Sequence, residues 1–276
     1  DEEYVLEAIA AGVRKLGFSD HVMLPNFSQP NVRGDFKEAE GYFASINALK
    51  EKYKERIKIY LGFEAEYDES FESYYRSLLE THKVDYLILG QHFSFANGRI
   101  IDYFGHVHEK DRLISYKNLV VKAMSTGLFS ILVHPDLYMA AYEKFDSTAK
   151  LVAHEICKAS LKYDVPLEIN LGGIRRGIVK VGEEKRYLYP YKPFWKIVAK
   201  YGCRVVIGVD AHSPKHFTTN EYSIALAWIR ELGLNHDQNM IINEKSIVND
   251  KKVINICNFL VKRNIISAII LTIEIN

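Results

Sequence analysis

The feature that most restricts this fold is a repeated grammar: a short apolar run that stops on a His, Asp or Glu, followed by a helix-length stretch. Arg204-Val-Val-Ile-Gly-Val209 leads into Asp210-Ala-His212. Upstream, Phe18-Ser-Asp leads into His21, Ile57 to Phe63 into Glu64, Asp85 to Gln91 into His92, and Phe129 to Val133 into His134. Apolar runs of this length read as strands buried on both faces, the habit of parallel sheets. Val165 to Leu171 adds a sixth run, and helical signals fall over 37–56, 70–82, 111–127, 148–163, 193–201 and 221–232. Strands alternating with helices require a parallel sheet, either open or closed into a barrel. Polar residues at the C-terminal ends of nearly all strands can meet at one point only if the sheet closes into a ring. An α/β barrel is therefore expected.

The opening segment repeats Val5, Ile9, Val13 and Leu16 at helical spacing and meets Gly17, so a first helix is expected over 2–16. Pro25, Pro30 and Gly34 mark 22–36 as a surface loop, and 93–108 reads as a second loop rich in aromatics and glycine. With 276 residues, 48% of them hydrophobic, the chain can bury one large core as a single domain over 1–276. Residues 237–276 read as a C-terminal extension that packs without chemistry of its own.

A formal charge of +1, from 36 basic and 35 acidic residues, leaves no basic footprint for nucleic acid or an anionic membrane. The longest apolar run, 265–273, is shorter than the roughly 20 residues a membrane span needs. Cys157, Cys203 and Cys257 are far apart and odd in number, which suits reduced core residues. With an Asp-Glu-Glu opening in place of a secretory leader, a cytoplasmic protein is expected. The composition does not set the oligomeric state.

His21, Glu64, His92, His134, Asp210 and His212 together form the candidate site. A lone His at a strand end is ordinarily a hydrogen-bonded structural residue. Four histidines and two carboxylates at the same end of successive strands are a metal-ligand vocabulary of neutral imidazole and bridging carboxylate.

Ser19-Asp-His21, Gly62-Phe-Glu64, Gly90-Gln-His92-Phe, Val133-His134-Pro-Asp136 and Gly208-Val-Asp210-Ala-His212 stand in the order and context of the polymerase-and-histidinol-phosphatase (PHP) superfamily. The chain most resembles its histidinol-phosphate phosphatases, over about residues 1–232. The resemblance implies a distorted barrel of seven β/α units with up to three divalent metals (Mn, Zn or Fe). It implies that Glu64 bridges two metals, Asp210 holds the first, His92 and His134 complete the second, and His21 with His212 hold the third. Glu64, Asp210 and His212 are the residues it puts at the chemistry.

Members of that family begin with a strand carrying His-x-His, and this chain starts at the helix that should follow it. The first of seven strands is thus expected to be absent, with up to three ligands. Two explanations are open: an incomplete copy of an ordinary enzyme, favoured by the intact remaining motifs, or a truncated paralogue lacking its first metal. His106-Val-His108 lies in a polar loop between Gly105 and Glu109 and is read as a surface or substrate-loop element rather than a substitute ligand pair.

Several metals around a water suit hydrolysis of a phosphate ester. A small phosphomonoester also needs a guanidinium to grip its free oxygens, and Gly172-Gly-Ile-Arg175-Arg176-Gly177 offers Arg175 and Arg176 directly after a strand. The resemblance points to L-histidinol phosphate, with Phe93, Phe95 and Tyr103 as possible contacts for its imidazole. Asp136 and His216 are candidates for the general acid by location alone. The aromatics of 189–195 are expected to pack the following helix. The alternatives are another PHP phosphoesterase, acting on nucleotides or phosphotyrosine, and a non-catalytic PHP-like binding protein.

Overall fold

The computed structural model describes residues 1–96, 99–104 and 109–237. Helix α1 (Glu2–Ala10) ends well before Leu16, because the chain turns at Gly12, whose φ of 80° no helix accommodates. Val13 and Leu16 are buried as expected, but from a turn and from strand β1 (Lys15–His21). There follow α2 (Ala39–Tyr53), β2 (Lys58–Ala65), α3 (Glu72–Glu80) and β3 (Tyr86–Leu89). The region expected to be a loop after His92 holds an antiparallel hairpin, β4 (Phe93–Ala96) and β5 (Arg99–Asp102), that pairs Phe93 with Asp102.

Next come α4 (Lys110–Ser125), α5 (Ser147–Tyr163), β6 (Leu167–Asn170) and the short α6 (Leu171–Arg175). A second hairpin, β7 (Val179–Val181) with β8 (Glu184–Arg186), precedes α7 (Lys192–Tyr201), β9 (Arg204–Gly208), α8 (Glu221–Leu232) and β10 (Asn235–His236). The strand expected over 129–136 is reduced to single parallel bridges at Leu132, which pairs with Leu89 on one side and Leu167 on the other. Pro135 and the turn after it cut that strand short.

The parallel order is therefore β1–β2–β3, then Leu132, then β6–β9–β10. The strands curve as a distorted barrel that is not closed: among the described residues, the outer edge of β1 pairs with no strand. Alternate residues along each strand face opposite ways. On β2, Ile59, Leu61 and Phe63 face the helices in the large outer core. Tyr60 faces inward with Tyr86, Ile88, Ile131, Val133 and Val206 in a small separate cluster. Two and four residues further along the same inner rows stand Gly62 and Glu64, and, beyond Val206, Gly208 and Asp210. Each inner row thus runs from apolar plug to ionisable rim.

Cys157 and Cys203 are buried and unbridged, while Cys257 and the expected extension after Asp237 lie outside the described residues. Among the described residues, no helix is long and apolar enough to cross a membrane.

Candidate metal centre

All six residues singled out by strand-end position line one cavity of about 400 Å³: His21, Glu64, His92, His134, Asp210 and His212. Glu64 is its hub. One oxygen, Oε1, lies 2.9 Å from His134 Nε2 and 3.3 Å from His92 Nε2. The rings of His21, His92 and His134 follow one another at 4.8 Å between centroids. Two groups of donor atoms fit within 4.8 Å of one another: Glu64, His92 and His134, and His21, Glu66 and His92. Asp210 and His212 pair with each other on the cavity wall, His212 Nδ1 standing 3.2 Å from Asp210 Oδ1, and belong to neither tight group. His106 and His108 lie outside the described residues.

Two close approaches depend on glycine. A Cβ at Gly90 would sit 2.0 Å from Glu64 Oε1, and one at Gly172 would sit 2.3 Å from Asp210 Oδ2. Both carboxylates occupy space that any other residue would fill. His134 and Asp210 also adopt φ values of 32° and 47°, a left-handed region that is unfavourable for side chains other than glycine. Glu168 Oε2 accepts from the His134 amide at 3.0 Å, and Arg175 donates to the carbonyls of Val209 and Asp210 at 3.0 and 3.2 Å. These bonds hold both turns in conformations that aim the side chains inward.

The charge state follows from this crowding. Burial alone would raise the Glu64 carboxyl, but His92, His134 and His21 outweigh it and hold Glu64 far below the ordinary carboxylate range. Burial would likewise lower His92, yet the carboxylates of Glu64 and Glu66 raise it to about 9. His212 is raised to about 9, chiefly by its hydrogen bond to Asp210. In His21 burial prevails over Glu64 and pushes the imidazole down. The site therefore keeps its carboxylates ionised and crowds imidazoles around them. His21 Nδ1 and His134 Nδ1 are buried without a hydrogen-bond partner. Orphaned imidazole nitrogens beside ionised carboxylates are the donor set of a divalent metal site, so the residues present fit such a group.

The two arginines part company. Arg176 lines the cavity, with its guanidinium 5.2 Å over the Phe104 ring and Tyr189 on the same wall. Arg175 turns away onto the Val209 and Asp210 carbonyls and lies 3.8 Å from Glu221. Of the expected imidazole contacts, Phe93 lines the cavity; Tyr103 is fully buried and hydrogen-bonded to Ser94 and Ser115, and Phe95 packs on Phe27 and Phe71. Ile100, Asp102 and Phe104 take their place on the wall, because the hairpin folds β5 back beside His92. Neither general-acid candidate lines the cavity. Asp136 is buried and accepts from the Tyr191 amide and Trp195 Nε1, while His216 Nδ1 accepts from the His212 amide. Tyr191, Phe194 and Trp195 pack as expected, but Tyr189 joins the cavity wall.

Glu66 and Glu168 are absent from the strand-end pattern. Glu66 bonds His92 Nδ1 at 2.9 Å, and a signal for it exists: a second carboxylate two residues after Glu64, on the same face of the chain. Glu168 sits inside an apolar run and offers no such signal.

A family model described as the PHP domain matches residues 2–171, more than half of the chain, and the protein belongs to the PHP domain family. A histidinol-phosphatase of Lactococcus lactis is 31% identical over 226 residues, covering 77% of this chain and 78% of that protein. A Listeria monocytogenes crystal structure, described as a candidate histidinol phosphatase, superposes with a TM-score of 0.66 at 19% identity, over 81% of this chain and 92% of that one. A crystal structure of Lactococcus lactis histidinol phosphate phosphatase with Zn, L-histidinol and phosphate gives 0.58 at 20% identity, over 85% and 88%. At these identities the two structures speak for the fold, and they agree with the distorted barrel.

Proposed function

We propose that this protein is a metal-dependent phosphoric monoester hydrolase that converts L-histidinol phosphate to L-histidinol and phosphate. The observation that carries the reading is a single cavity in which His21, Glu64, His92, His134, Asp210 and His212 face Arg176. That wall matches what a phosphomonoester needs, and the relatives named for histidinol phosphate supply the substrate. Glu64, His92 and His134 would hold one divalent ion, with His21, Asp210 and His212 available to others; up to three of Mn, Zn or Fe suit these nitrogen and oxygen donors. Such ions supply Lewis acidity to the phosphoryl oxygens and lower the pKa of a coordinated water.

The chain's own residues do the rest. Arg176, lying over the Phe104 ring, presents guanidinium donors to the phosphate oxygens. Arg175, the other of the two candidates for gripping phosphate, instead fixes the turn that delivers Asp210 and His212. Phe93, Ile100 and Phe104 form an apolar wall for the imidazole, and the Asp102 carboxylate stands on the same wall for the substrate's ammonium.

The test is phosphate release from L-histidinol phosphate, nucleotides and phosphotyrosine, run beside elemental analysis and repeated after chelation. Bound divalent metal, turnover strongest on L-histidinol phosphate and loss of turnover with chelator are expected. Turnover on another ester alone would move the substrate assignment within the family. A metal-free chain with no turnover would leave the binding-protein reading.

A further inference from the structure

The loop between β1 and α2 carries an arginine that no strand-end pattern marks. The Arg33 side chain is wholly buried, and it forms an ion pair with Glu66, whose side chain is 3% exposed. Its Nη2 donates to both Glu66 oxygens at 3.0 Å, Nη1 to the Val22 carbonyl at 2.7 Å, and Nε to Gln29 Oε1 at 3.1 Å. Its guanidinium also lies 5.7 Å from the Phe27 ring centre and 5.2 Å from that of Phe93. Beyond Glu66 the row continues through His92 Nδ1 at 2.9 Å, and His92 Nε2 faces Glu64 Oε1 at 3.3 Å.

A buried ion pair is costly to desolvate, and a well-packed apolar pair often stabilises a fold as well or better. A pair that touches the site on one side and the loop on the other therefore has a reason beyond stability. Glu66 is already engaged: Oε1 meets Arg33 and His92, and Oε2 meets Arg33. A carboxylate so occupied is poorly placed to bind a metal and well placed to accept a hydrogen bond from the Nδ1–H of an imidazole. That hydrogen bond keeps the proton on Nδ1 and leaves the Nε2 lone pair of His92 pointing toward Glu64, the arrangement in which an outer carboxylate orients a ligating histidine.

We propose that Glu66 and Arg33 are positioning residues: Glu66 sets the tautomer and direction of His92, and Arg33 locks Glu66 while docking the 22–35 loop beside the centre. Metal affinity and loop closure are coupled through this row. The inference rests on the metal-centre reading given above.

The experiment titrates zinc into the metal-free full chain by calorimetry, for wild type, Glu66→Gln, Arg33→Met and Arg33→Lys. In parallel, limited proteolysis follows cleavage within 22–35 with and without zinc. Glu66→Gln is expected to bind as many zinc ions as wild type with affinity lowered about 10–100-fold at the weakened site. Arg33→Met is expected to lose affinity similarly and to lose zinc-dependent protection of the loop, and Arg33→Lys to fall between it and wild type. Loss of a whole zinc equivalent in Glu66→Gln overturns the inference, because Glu66 would then be a ligand. Unchanged affinity with only a lower melting temperature also overturns it, leaving a structural ion pair. A wild-type chain that binds no zinc sinks the metal-centre reading itself, and this inference with it.

Discussion

Asp136 is buried between the His134 turn and α7, and replacing it by asparagine gives a change whose sign and size can be worked out in advance. Burial raises its carboxyl from the ordinary 3.8 to about 7, and bonds from the Tyr191 amide and Trp195 Nε1 only partly offset that rise. Because the folded-state value lies above the unfolded one, the folded protein binds the extra proton between those two values. Its contribution to stability is fully present below about pH 4 and is lost as pH rises through about 7. The span is roughly three pH units at about 1.4 kcal/mol each, or about 4 kcal/mol in all. The side-chain oxygen of the substituted asparagine can accept the same two bonds and carries no charge. Urea unfolding of wild type and Asp136→Asn, in chelator so that metal occupancy is equal, should therefore diverge with pH. From pH 5 to pH 7 wild type should lose about 2–3 kcal/mol relative to the variant, and the gap should level off above about pH 8. Parallel stability curves across that range would refute the reasoning, since they would mean that Asp136 has the same proton affinity folded and unfolded.

Two further substitutions probe the cavity. Gly90→Ala places a methyl 2.0 Å from Glu64 Oε1, so Glu64 must swing away; zinc affinity should fall more than about 10-fold while circular dichroism stays that of the folded chain, and an unaltered titration would show that Glu64 is not a ligand. Arg176→Met removes charge-assisted bonds worth about 1.5–3 kcal/mol each, so kcat/KM for L-histidinol phosphate should drop by roughly 10–100-fold with metal content unchanged. An equal loss in zinc binding would instead place Arg176 in support of the metal residues.

The residues that strand-end position can find are those on the inner rows. Glu64 follows Tyr60 and Gly62 along one face, and Asp210 follows Val206 and Gly208, so alternation alone predicts that both reach the same rim. Where local rules break, sequence and structure differ. The 129–136 strand shrinks to a bridge at Leu132 because Pro135 follows and His134 takes a positive φ. The first helix is shorter than its periodicity predicts because a turn and a strand can place Val13 and Leu16 in the core as well as a helix can. The hairpin after His92 is not legible in the sequence, nor are the positions of Asp102 and Phe104, because short strands without strict alternation resemble loop sequence.

Residue chemistry along the chain determined which groups could form the site: short apolar runs require a buried parallel sheet, and a sheet of that kind puts its strand ends on one side. Only the tertiary structure decided what each group is tied to. Two adjacent arginines are equivalent in sequence, yet the turn of α6 sends Arg175 onto the carbonyls of Val209 and Asp210 and leaves Arg176 facing the cavity. Arg33 and Glu66 stand 33 positions apart, and their pairing depends on how a proline-marked loop folds back against the end of β2. Periodicity reports the face on which a residue lies. Partners across the fold are chosen by burial, which leaves a charged group no stable option except the opposite charge within reach.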